Sequence, residues 1–314
     1  QPTVTASGTV TADSGGSAVT VDSGVTVSDQ DGQNLAEATV SGALTGNTLS
    51  FNGGATKTFS DGATISSSFS GGTLTLSGDA SPADYQTALD AVTFGTTSTS
   101  ATPRTIDWTV SDGVVTSPTT TSTVDVQVPP VVTAGGTVTF DGGGSPVVLD
   151  SGLVVTDASS STLSSATVRI TGYISGDTLT VGTPGGLGTS FSNGALTLTG
   201  TASLATYQTA LESISYSVSP SNSDPTGGGS HSTRTIDWTV NDGVLNSGTA
   251  TSTLDTVHVK PTIVAGATAT FDGGGSAVTL DSGVTESDVD SGGVLASATI
   301  SIGTGYISGD TLNF

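Results

Sequence analysis

The sequence predicts an all-β chain of serial two-layer sandwich modules, each carrying one short helix or helical turn. Three observations carry that expectation. Thr, Ser, Val and Gly dominate the composition, and β-branched residues favour strands while Gly favours turns. Apolar residues alternate with polar ones over short runs: Ile106, Trp108 and Val110 interleave with Thr105, Asp107 and Thr109, as in a strand with one buried face. The chain also repeats itself at domain-sized intervals. Prolines at positions 2, 130 and 261 open equivalent segments 128 and then 131 residues apart, too long for solenoid or propeller units.

The repeats divide the chain into copies at 1–129, 130–260 and 261–314, the last matching only the N-terminal part of a module. Val21-Asp22-Ser23-Gly24 returns as Leu149-Asp150-Ser151-Gly152 and Leu280-Asp281-Ser282-Gly283. Late in the copies, Arg104-Thr105-Ile106-Asp107-Trp108 returns as Arg234-Thr235-Ile236-Asp237-Trp238, after which the third copy has no counterpart. Half a sandwich leaves apolar faces and strand edges uncovered. The expectation is that the natural protein continues, with completion by a neighbouring chain as the alternative.

Within a copy, Gly-rich turns such as Asp141-Gly142-Gly143-Gly144 separate short strands, the pattern of a sandwich. One stretch departs from it. Ser81-Pro82-Ala83-Asp84 offers an N-cap, proline in the first turn and an early acid, and Tyr85, Ala88 and Leu89 share a helical face. Ser203 to Leu211 repeats it with Tyr207, Ala210 and Leu211. Both tyrosines read as core or corner residues, and Trp108 and Trp238 as core anchors. The linkers Val126-Gln127-Val128-Pro129-Pro130 and Val257-His258-Val259-Lys260-Pro261 pass straight from one copy to the next, and proline stiffens them.

Composition narrows the function. With 27 acidic and 5 basic residues the formal net charge is −22, which repels nucleic acid and anionic membranes and suits divalent cations. The absence of cysteine excludes disulfides, thiolate metal sites and thiol nucleophiles, and points to a bacterial surface protein. No apolar run reaches membrane-span length, so no direct membrane insertion is expected of this segment. His231 and His258 recur in no other copy and sit in no nucleophile motif, so the chain does not read as an enzyme.

Calcium is the one cofactor the residues suggest. It takes six to eight hard oxygen ligands, and Asp29-Gln30-Asp31-Gly32 offers two carboxylates two residues apart before a glycine. The third copy repeats the pair as Asp288 and Asp290, whereas the second keeps Asp157 and has Ser159 in the second place. The competing reading is that these residues simply make turns, their side chains bonding local amides. Asp22, Asp150 and Asp281 read as turn or bulge residues in the same way.

On the closing-strand ends Ser111-Asp112-Gly113 and Asn241-Asp242-Gly243, the turn at Asp29 and Asp31, and the Tyr85-Gln86-Thr87-Ala88-Leu89 segment, the chain resembles the cadherin-like and immunoglobulin-like tandem repeats of large bacterial surface proteins, including the extender regions of RTX-type biofilm adhesins. The resemblance implies secretion, extension from a bacterial cell surface, adjacent repeats of the same protein as partners, and calcium between modules, with Asp112 and Asp242 completing the sites. The function so implied is a stiff spacer in an adhesin or filament. A surface-layer or matrix protein assembling laterally or by strand exchange with neighbouring copies is one alternative. A carbohydrate-binding module, with Tyr173 and Tyr306 as repeated aromatics, is another.

Overall fold

A computed structural model of the 314-residue chain describes residues 1–52 and 54–314. The first copy runs β1 (Pro2–Thr5), β2 (Thr9–Asp13), β3 (Val19–Thr20), β4 (Thr26–Asp29), β5 (Leu35–Ser41) and β6 (Asn47–Phe51). It continues through β7 (Thr56–Thr58), β8 (Thr64–Ser70), β9 (Thr73–Ala80), α1 (Pro82–Leu89), β10 (Val92–Thr96), β11 (Arg104–Ser111) and β12 (Thr120–Gln127). The second copy begins β13 (Val131–Thr133), β14 (Thr137–Asp141), β15 (Val147–Val148), β16 (Val154–Thr156), β17 (Thr162–Thr171) and β18 (Asp177–Val181). It ends β19 (Gly188–Ser192), β20 (Ala195–Ser203), α2 (Leu204–Glu212), β21 (Ile214–Val218), β22 (Thr233–Asn241) and β23 (Ala250–Val257).

In the first copy a seven-stranded sheet, ordered β2-β12-β11-β5-β9-β8-β7, faces the smaller sheets β3-β10-β6 and β1-β4. The second copy repeats this with β14-β23-β22-β17-β20-β19 facing β15-β21-β18 and β13-β16. Period-two burial builds the layer between them. Ile106, Trp108 and Val110 on β11, and Ile236, Trp238 and Val240 on β22, turn inward and are buried. One apolar cluster spans residues 4–128 and another 132–254, each around its own tryptophan. The chain is thus all-β, built of two-layer sandwich modules with one short helix in each complete copy.

The helices form where their signals lie. Ser81 caps α1 by accepting from the Asp84 amide, and Ser203 caps α2 by accepting from that of Thr206. Tyr85 and Tyr207 are buried, and their hydroxyls donate to the carbonyls of Gly78 (2.8 Å) and Gly200 (2.7 Å). The helices also hold a strand edge. Gln86 Oε1 accepts from Val27 N at 3.1 Å, and Gln208 Oε1 from Val155 N at 3.2 Å. A side-chain amide thereby stands where a neighbouring strand would bond β4 and β16.

The first strand of each copy changes sheets. β1 pairs antiparallel with β4, whereas β2 pairs parallel with β12 in the opposite layer. The crossing at Ser7 and Gly8 leaves amides without a ladder, and Asp22 takes them up. Its carboxylate accepts from Ser7 N (3.0 Å), Gly8 N (2.6 Å), Gly24 N (3.0 Å) and the Ser122 hydroxyl (3.0 Å). Ser122 in turn accepts from Trp108 Nε1 at 3.1 Å, so the crossing is tied to the core tryptophan. A Cβ on Gly8 would lie 2.7 Å from Asp22 Cγ, so the carboxylate packs directly against this glycine. Asp150 repeats the arrangement with Gly135, Gly136 and Gly152, and Asp281 with Gly266, Ala267 and Gly283.

In the third copy β24 (Thr262–Val264) pairs with β25 (Thr285–Ser287), the only strands there among the described residues. Its apolar side chains are exposed, Ile263 and Ile300 among them. No helix of the described residues is long and apolar enough to cross a membrane.

Burial alone would push the Asp22 carboxyl up, but the donors from Gly24, Gly8, Ser122 and Ser7 outweigh it and hold the pKa below its ordinary 3.8. A depressed carboxylate contributes stability that is present above the unfolded pKa and lost as pH falls through the folded one. Asp22→Asn should therefore cost about 1.5–3 kcal/mol at neutral pH, the usual worth of bonds to a charged group. The gap to the unsubstituted chain should close on acidification below the ordinary carboxylate pKa, as measured by urea denaturation across that range.

Candidate cation sites at the module joints

The second and third copies each send one loop back to the segment that precedes them. The loop follows β16 or β25, as its counterpart in the first copy follows β4, and its second key position is Ser159 or Asp290, with Asp31 in the counterpart. The Ser159 hydroxyl donates to Val128 O (2.9 Å) and accepts from Val128 N (3.1 Å), gripping the last core residue of the first copy. At the next joint Asp290 Oδ2 accepts from Val259 N at 2.9 Å. In the first copy Asp31 Oδ2 accepts from the Gln1 amino group at 3.1 Å. The same clasp is thus made at both joints, by serine at the first and by aspartate at the second.

Among the described residues no three of the sequence-selected aspartates bring carboxylate oxygens within 4.8 Å of one another, and each is held by its own turn. Asp29 ends β4, is fully buried at its side chain, and accepts from the Asp31 amide at 2.8 Å. Its Oδ1 lies 3.8 Å from the Gln1 amino group. The Asp31 hydrogen bond and the charges of Asp29, Asp31 and Asp112 raise that group's pKa above its ordinary 8.0, against a smaller desolvation. Asp112, after β11, accepts from Val115 N (2.7 Å) and Val114 N (2.8 Å), and these amides hold its carboxyl below the ordinary range.

In the second copy Asp157 Oδ1 accepts from the amides of Ser159 (2.8 Å) and Ser160 (2.9 Å), and Asp242 Oδ1 from those of Val244 and Leu245. In the third, Asp288 Oδ1 accepts from the Asp290 amide at 3.3 Å. The turn-making role of these residues is thus real, yet it uses only half of several carboxylates. Asp29 Oδ2, Asp157 Oδ2, Asp242 Oδ2 and Asp290 Oδ1 are buried without a hydrogen-bond partner. An unpaired buried carboxylate oxygen is costly, and a hard cation that takes oxygen ligands suits this donor set.

Two residues at the second joint carry no signal in the repeat pattern. His258 sits just past the end of β23 rather than within a strand, with Nδ1 3.2 Å from Asp290 Oδ2 and 3.6 Å from Asp224 Oδ1. Asp224 lies in the 219–232 loop, twice as long as its counterpart at 97–103. That loop is anchored to the core. The buried Arg234 guanidinium donates to the carbonyl of Pro225 and pairs with Asp177, and the Tyr216 hydroxyl donates to Asp177 at 2.6 Å. Burial would raise the Asp224 pKa, but donors from Thr226 and Gly228 and the charge of His258 bring it below the ordinary range.

Elsewhere, Tyr173 is partly exposed and packs edge-on against Phe191, 6.4 Å between ring centroids. It lines an open groove with Arg169, Asn193 and Asp237.

No protein-family model matches the chain, and no curated protein matches it. Among solved structures it is similar to human CDH23 EC21-23, at 13% identity over 90% of this chain and 78% of that one, with a TM-score of 0.30. It is similar to the Streptococcus agalactiae AgI/II polypeptide BspA C-terminal domain at 11% identity, over 69% and 84% of the two chains, with a TM-score of 0.28. It is also similar to a chimeric titin Z1Z2, at 15% identity over 82% and 96%, with a TM-score of 0.21. These scores carry no argument about what the chain binds; the fold rests on the strand register above.

The Ser159 clasp makes a local prediction. Ser159→Ala removes both bonds to Val128, a residue only 4% exposed. Losing a buried donor–acceptor pair costs about 1–3 kcal/mol, so exchange of the Val128 amide should accelerate about tenfold or more while the core amides of β11 stay protected.

Proposed function

We propose that the chain is a structural repeat region of an extracellular, adhesion-type bacterial surface protein, a stiff spacer whose joints are tightened by calcium. The observation that carries this reading is the repeated clasp, in which a loop of the second copy and a loop of the third each bond the main chain just before that copy. Two apolar cores that approach within four residues of chain, Val128 and Val132, leave little slack between the complete sandwiches. The partners of a module are then its neighbours in the same chain.

Calcium enters through the sequence-selected aspartates. Asp29, Asp31 and Asp112 would hold it in the first copy, Asp157 and Asp242 in the second, and Asp288 and Asp290 in the third. The half-used carboxylates of Asp29, Asp157, Asp242 and Asp290 support that assignment. A bound divalent ion would supply the counter-charge these buried oxygens lack, and would restrain bending by joining loop to linker.

Small-angle scattering and thermal unfolding of the full chain, with calcium and with chelator, test both parts. At 100 times its dissociation constant an ion bound only by the folded state adds about 2.7 kcal/mol, which should raise the unfolding midpoint by several degrees. Asp157→Asn with Asp242→Asn should remove much of that rise. An unchanged midpoint would reject the calcium part alone. A compact maximum dimension in either condition would reject the spacer.

A further inference from the structure

We propose that Asp224, His258 and Asp290 form a three-ligand site for a transition-metal dication of the zinc class, bridging the second and third copies. This goes beyond calcium stiffening: it uses two residues outside that set, a nitrogen donor, and one joint only, where it takes Asp290 from calcium for the zinc-class ion.

One imidazole nitrogen and two carboxylate oxygens, from three separate segments, lie within 4.8 Å of one another. Zinc binds nitrogen and oxygen at about 2.0–2.2 Å in tetrahedral geometry, which places neighbouring ligand atoms about 3.3 Å apart. The separations from His258 Nδ1, 3.2 Å to Asp290 and 3.6 Å to Asp224, bracket that value. Three protein ligands would leave the fourth position to water.

A second observation comes from Asp290 itself. Its side chain is completely buried at the joint, and Oδ1 has no hydrogen-bond partner. Oδ2 is shared between the Val259 amide and His258. Such a carboxylate lacks the compensation a buried charge requires, and a dication beside it supplies that. Asp224 Oδ1 already accepts from the Thr226 amide and hydroxyl, both at 2.7 Å, so the rotatable hydroxyl must yield when the metal binds.

Comparison of the two joints sharpens the assignment. At the first, Gln127 stands in place of His258, Ser159 in place of Asp290, and the short 97–103 loop supplies no equivalent of Asp224. Room is made for the larger acid as well. Ser14 of the first copy is Gly142 in the second, where an added Cβ would overlap the Asp290 carboxylate. The neighbouring Gly143 has φ 72°, and a Cβ there would lie 2.8 Å from Val289. Calcium takes hard oxygen ligands, whereas an imidazole among carboxylates suits zinc and its neighbours.

The full chain titrated with Zn²⁺ by calorimetry, in the presence of excess Ca²⁺, should show one saturable site. His258→Gln, the residue the first joint carries, should weaken it at least tenfold, as should Asp224→Asn. His231→Gln should leave it unchanged. Co²⁺ in place of Zn²⁺ should give the intense visible bands of a four-coordinate ion, lost in the His258→Gln chain. Absence of saturable Zn²⁺ binding, equal binding by the His258→Gln chain, or displacement by Ca²⁺ would each overturn the proposal. None of these outcomes bears on calcium at the first joint, which Asp157 and Asp242 report.

Discussion

A strand that leaves one sheet for the other must abandon its hydrogen bonds at the crossing, and a single carboxylate settles that account in every copy. Asp22 and Asp150 gather the stranded amides of Ser7 and Gly8, and of Gly135 and Gly136. Everything downstream depends on it. With the crossing held, β1 can edge one layer and β2 the other, so both sheets close over one core. The Trp108–Ser122–Asp22 relay then couples the crossing to the middle of that core. In the third copy Asp281 draws in the same amides although no core lies behind it, which marks the clamp as a local device.

The joints follow from the same economy. β4 is held on one side by β1 and on the other by the amide of Gln86, so Asp29 at its end is delivered to a set position. The loop beyond then has only a few residues in which to reach the linker, and it does so with whatever side chain bonds a peptide group. Serine serves at one joint and aspartate at the next. The difference in charge, more than the difference in contact, separates the two joints chemically.

Much of this was legible in the sequence because it is periodic or local. Alternation along β11 named the inward face, and Ser81 with Pro82 marked the helix start. The repeat of the Asp22 segment announced a common role, though its turn reading missed the bond to Ser122, 100 residues away. Asp112 was grouped with Asp29 and Asp31 through family likeness, since no spacing relates a closing-strand turn to the turn after β4. Loss of the second carboxylate in Asp157-Ala158-Ser159 suggested a broken site, whereas the Ser159 hydroxyl keeps the clasp. Asp224 and His258 escaped because repeat logic attends to what recurs, and both belong to features found once.

The parallel pairing of β2 with β12, and of β14 with β23, has a mechanical consequence. Chain enters a module at one end and departs at the other along adjacent strands pointing the same way. Tension between the two ends therefore slides these strands past each other, loading the rungs from Thr9–Thr123 to Asp13–Gln127 together instead of peeling them singly. Resistance of that kind is set by how many rungs must fail at once.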